Sequence, residues 1–127
     1  AYSLLKQYKG EWEFDTNWKM IFGHPKKAGC IKAIQEAQQA VQKGLKLDCP
    51  ILVMSSNKSF PETETWHEEY MTSDIVLDVQ DIQKYGEKLG DKVTRDTIPN
   101  GIHDLILSQK PYRNDAYQTI FEWLKKQ

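Results

Sequence analysis

An α/β fold with mostly parallel strands is predicted by three features of this 127-residue chain. Ile51, Leu52, Val53 and Met54 form an unbroken apolar run between Pro50 and Ser55, the pattern of a short strand buried on both faces and covered by helices. Asp78 then stands where a helix N-cap belongs, with Asp81 near the positive end of the dipole and Val79, Ile82, Gly86 and Leu89 at helical spacing. Residues 92–98 form a second candidate strand, with Arg95 and Asp96 marking an edge. The order strand, helix, strand requires a crossover, which is right-handed in nearly all such units. Ligands of parallel sheets sit beyond the carboxyl ends of the strands, so chemistry is expected after Ser56 and after Ile98.

The remaining elements follow from local pattern. Residues 1–24 carry Tyr2, Tyr8, Trp12, Phe14, Trp18 and Phe22 among charges, without a regular period. They form either a layer packed over a core or a cap lining an apolar pocket. From Pro25 to Lys43, the apolar positions Cys30, Ile31, Ile34, Ala37 and Val41 predict an amphipathic helix with a small buried stripe, ended by Gly44. Residues 57–61 read as loop, and residues 62–71 as a short acidic helix or an ordered excursion. Gly90 stops the helix that Asp78 starts, Pro99, Asn100 and Gly101 form a turn, and a closing amphipathic helix spans about residues 114–125. Its docking face is expected to be Tyr117, Ile120, Phe121 and Leu124.

Composition narrows the partners. The 17 basic and 18 acidic residues are dispersed, the net charge is −1, and no basic stretch could track a phosphate backbone, so nucleic acid is excluded. No apolar run approaches the roughly 20 residues of a membrane span. Cys30 and Cys49 lack zinc-like spacing and are expected as reduced, buried thiols, which indicates a cytoplasmic location. The chain opens Ala-Tyr-Ser without an initiator methionine and is expected to belong to a longer polypeptide.

Asp74 follows one strand and His103 the next, so a parallel sheet brings both to one edge. A carboxylate that orients an imidazole supplies two members of a nucleophilic triad, because it fixes the tautomer and stabilises the imidazolium. None of Ser3, Ser55, Ser56, Ser59, Ser73 or Ser108 lies in a Gly-x-Ser-x-Gly elbow. From the residues alone the pair is open to a structural reading as well as a catalytic one. His24, His67 and His103 are far apart and His67-Glu-Glu-Tyr is not a zinc motif, so solvated side chains are expected there rather than a metal site. A glycine-rich phosphate loop is absent, and no cofactor is expected.

Cys49-Pro-Ile-Leu-Val-Met-Ser-Ser56, Ser73-Asp-Ile-Val-Leu-Asp-Val79, Gly101-Ile-His-Asp-Leu-Ile-Leu-Ser108 and Glu122-Trp-Leu124 together resemble the C-terminal half of an α/β-hydrolase. The closest subgroup is the lysophospholipase or monoacylglycerol-lipase-like serine hydrolases, also grouped with serine aminopeptidases. Gly10-Glu-Trp-Glu-Phe14 and Asn17-Trp-Lys19 resemble the start of that subgroup's cap. The resemblance implies a partial hydrolase sandwich, with a cap or lid segment at residues 1–47 and a core portion at residues 48–127. It further implies Asp74 as triad acid, with Asp78 as the rival, His103 as triad base, and an acyl ester as the small-molecule substrate of the full-length protein. The nucleophile elbow and oxyanion-hole loop belong to the family's N-terminal half, so this chain alone should not turn over an ester. Missing strands would leave an open sheet edge, and copies of the chain are expected to self-associate. The competing reading is a non-catalytic half-hydrolase module that holds an apolar ligand or a protein partner.

Overall fold

The computed structural model describes residues 4–20 and 25–127. It is mixed α/β, with helices α1 (Ala28–Lys43), α2 (Val79–Gly86) and α3 (Lys110–Leu124) and strands β1 (Ile51–Ser56) and β2 (Val93–Ile98). The two strands pair in parallel, from Ile51 opposite Val93 to Ser56 opposite Ile98, with α2 as the crossover between them. Tyr2 and Phe22 of the aromatic segment, like Ser3 and His24, lie outside the described residues.

Sequence explains where these elements begin and end. Pro50 precedes β1, where its missing N–H removes no ladder bond. Asp78 caps α2 as expected, its carboxylate accepting from the Gln80 N–H at 2.9 Å. Beyond Gly86 the chain tightens into a 3-10 turn, Glu87–Leu89, and becomes extended at Gly90. Gly44, at φ 99°, ends α1 in a conformation that side chains disfavour. The acidic stretch yields only the 3-10 turn Glu68–Met71, with Tyr70 and Met71 buried.

The sheet lies between two helical layers. Val53 faces α2 so closely that a Cβ on Gly86 would come within 2.8 Å of its side chain. Val is stiff at χ1 and cannot retreat, so the missing side chain sets the helix–strand distance. Leu52 and Met54 face the opposite way and border a hollow with Ala116 and Ile120 of α3. The indole of Trp123 reaches back to the sheet, its Nε1 donating to Thr94 Oγ1 at 3.2 Å. Ile98, Ile102, Val79 and Ala116 are buried where these layers meet.

Several expectations are corrected. Ile51 to Met54 are only half-buried, because β1 has a paired strand on one side alone among the described residues. In a parallel ladder residues 51, 53 and 55 bond to β2, so Leu52, Met54 and Ser56 aim their backbone groups at the unpaired side. Cys30 and Cys49 are exposed rather than buried. Cys30 lies on α1, none of whose residues is buried, and Cys49 lies in the bend before β1. Helix α3 starts at Lys110, before the predicted residue 114, because Pro111 falls in the first helical turn, where it removes no helical bond. Its inward face is Ala116, Ile120 and Trp123, while Tyr117, Phe121 and Leu124 are exposed, with the Tyr117 and Phe121 rings stacked at 6.3 Å.

The N-terminal segment docks on the start of α3. Trp12 Nε1 donates to the Leu107 carbonyl at 2.9 Å, and the Arg113 guanidinium lies 4.7 Å over its ring. Lys9 pairs with Glu68 at 2.7 Å. That hydrogen bond, helped by one from the Trp66 indole, holds the Glu68 carboxyl below the usual carboxylate range. No helix among the described residues is long and apolar enough to cross a membrane.

Candidate active site

The line of β1 continues past its last ladder pair and fixes the loop of residues 72–78. Asp74 N–H donates to the Lys58 carbonyl at 3.0 Å, and Phe60 N–H donates to the Asp74 carbonyl at 2.9 Å. This bridge sets the Asp74 backbone, and the carboxylate then organises the residues after it. Its Oδ1 accepts from Val76 N–H at 2.8 Å and from Leu77 N–H at 2.9 Å, a short-range turn that Asp favours. Its Oδ2 lies 2.9 Å from His103 Nδ1. Both carboxylate oxygens are therefore engaged, and Asp74 is 1% exposed.

His103 arrives from the end of β2. Asn100 turns at φ 58°, and its N–H donates to Asn57 Oδ1 at 3.0 Å, which links the ends of both strands. Gly101 N–H closes onto the Ile98 carbonyl at 3.1 Å. Ile102 N–H donates to the buried Ser108 hydroxyl at 3.0 Å. The imidazole that follows is 43% exposed. An ionised carboxylate can only accept, so beside one a neutral ring would carry its proton on Nδ1 and keep the Nε2 lone pair available as a base.

The structure thus brings Asp74 and His103 into contact and leaves Asp78 in a different role, as the exposed cap of α2. No described hydroxyl is hydrogen-bonded to His103. Ser55 Oγ donates to the Ser56 carbonyl and accepts from Gln83 Nε2, while Ser73 Oγ is buried without a partner. His67 is half-buried beside Phe60 and Tyr70, with ring centroids 5.3 and 5.9 Å away, rather than solvated. Among the described residues no group of three or more His, Cys, Asp or Glu side chains is placed to hold a metal ion.

Beside His103 lies a hollow of about 500 Å³ lined by Leu52, Met54, Leu105, Ile106, Ala116 and Ile120. A second groove, of about 560 Å³, runs between α1 and α2 on the other face of the sheet. Three polar side chains that no sequence motif marks, Ser59, Asn57 and Ser108, bond to the backbone around the pair, at Leu77 and Val79, at Asn100 and at Ile102 respectively. Comparison with protein-family models, with curated proteins and with solved structures finds no match to this chain.

Proposed function

We propose that this chain is the cap and acid–base portion of a serine hydrolase of the lysophospholipase or monoacylglycerol-lipase-like type. Its substrates are carboxylic acyl esters, and its nucleophilic serine comes from outside residues 1–127. The observation that carries this reading is the buried Asp74 carboxylate, fixed by two backbone N–H groups and bonded to Nδ1 of the partly exposed His103 ring. Such a base takes the proton of a serine hydroxyl as its oxygen attacks the ester carbonyl. The same proton passes to the departing alcohol, and the acyl-enzyme forms. Water, deprotonated by Nε2 in turn, then releases the carboxylic acid and restores the serine. The hollow beside His103, apolar along Leu52, Met54, Leu105, Ile106, Ala116 and Ile120 and with Asp104 at its wall, has room for the hydrocarbon part of such a substrate.

The test is intact-mass spectrometry after treatment with a fluorophosphonate, which phosphonylates activated serines. It is run on this chain and on the product of the uninterrupted reading frame that contains it. The expected result is one adduct on the longer product, none on this chain, and loss of labelling in His103→Ala. No adduct on either product sinks the esterase reading. It would favour a binding module instead, for which the groove lined by Ile34, Ala37, Val41, Val53, Ile82 and Leu89 is the motivating observation.

We also propose that copies of this chain associate through the unpaired side of β1. Leu52 and Met54 present backbone donors and acceptors there without the charges or proline that protect an edge. Light scattering over a concentration series should give a mean mass that rises with concentration. A constant monomer mass would contradict this.

A further inference from the structure

Ser59 is exposed, yet its hydroxyl both donates and accepts within the chain. It donates to the Leu77 carbonyl at 2.9 Å and accepts from the Val79 N–H at 2.9 Å. Val79 is the first residue of α2, so its N–H has no acceptor within the helix. The Leu77 N–H is one of the two donors on Asp74 Oδ1. Leu77 is therefore gripped at both ends, by the Asp74 carboxylate and by Ser59. Ser59 also pairs with Asp74 through the isolated bridge that extends β1.

We propose that Ser59 is a positioning residue for the acid–base pair: by holding Leu77 and the start of α2, it fixes the donors that aim Asp74 Oδ2 at His103. This deepens the hydrolase reading and rests on its acid–base assignment. Loss of the hydroxyl frees the Leu77 carbonyl and the Val79 N–H together. The loop then rebonds to water, and the second oxygen of Asp74 is no longer held on Nδ1 of the ring.

The tautomer of His103 reports that geometry directly, and it can be read on this chain from imidazole ¹⁵N shifts at a pH where the ring is neutral. Wild type is expected in the Nδ1–H form. Ser59→Ala should lower the ratio of Nδ1–H to Nε2–H by about fivefold or more, the scale of one hydrogen bond, and Ser59→Thr, which keeps the hydroxyl, should restore it. Should the alanine chain fail to fold, Ser59→Cys keeps the size, weakens the donor and reads the same quantity. Asp78→Ala is the control, because it removes the cap of the same helix while leaving Ser59 and Asp74 bonded. It should lower the urea midpoint and leave the tautomer ratio unchanged. A wild-type ratio in Ser59→Ala, or an equal fall in Asp78→Ala, overturns the positioning role alone. A wild-type ring in the Nε2–H form overturns the acid–base assignment as well. Fluorophosphonate labelling of the longer product is read independently of either.

Discussion

Asp74→Asn, introduced into the longer product proposed to carry the serine, is expected to lower kcat for ester hydrolysis by about ten-thousand-fold, the loss seen when a triad acid becomes an amide. The reason lies in the donors around that side chain. Oδ1 sits between two backbone N–H groups, so the amide oxygen of Asn takes that place and its NH₂ turns to His103. An NH₂ donates, which forces Nδ1 to accept and moves the ring proton to Nε2, where it blocks the base. The side chain stays buried and nearly isosteric, so the fold should survive. Initial rates on a chromogenic acyl ester measure the change, with circular dichroism to check folding. A loss below tenfold in a folded protein would remove Asp74 from the mechanism.

The largest expected loss of stability comes from Ile98→Ala, at about 2–5 kcal/mol. Ile98 is 2% exposed, ends β2 opposite Ser56, and its carbonyl accepts the Gly101 N–H in the turn that leads to His103. Truncating it opens a cavity where the sheet meets that turn. Against the roughly 5–15 kcal/mol that holds a typical domain together, this loss would be conspicuous in a urea titration. A midpoint shift worth less than about 1 kcal/mol would show that the site relaxes to fill the gap.

Those parts of the fold that depend on near neighbours were legible in the sequence. Pro50 before four apolar residues located β1, and Asp78 located the start of α2, because each signal acts within a turn of its own position. Helix α3 was less legible. Its first turn, with Pro111, precedes the residue 114 at which the pattern starts, and the ring-bearing positions Tyr117 and Phe121 mark a face that is exposed, while the small Ala116 is the residue fully buried. Cys30 was likewise expected inside on the strength of its residue type, while α1 buries none of its side chains. The meeting of Asp74 and His103 was foreseeable, since adjacent parallel strands deliver their following loops to one edge. Its bracing was not. Ser59 reaches partners 18 and 20 residues away and Asn57 one 43 residues away, and a single polar residue with a distant partner leaves no local pattern.

Helix α1 carries a consequence for how this molecule comes apart. Its C-terminal end is tied down: Leu45 and Leu47 N–H groups bond to the Lys88 and Leu89 carbonyls, and Lys88 Nζ bonds to the Gln42 carbonyl. Its N-terminal end has no side-chain cap, and an exposed pair, Lys32 with Glu36 at 3.8 Å, spans one turn of its surface. A helix of 16 residues that leans so little on tertiary packing is marginal in water. It is therefore expected to open from Ala28 inward at a free energy well below that of global unfolding, while β1 and β2, whose following loops lead to Asp74 and His103, remain paired. Cooperativity in this chain is thus expected to be layered: the helix ahead of β1 opens as a low-energy unit of its own, before the paired strands that hold Asp74 and His103 together at one edge.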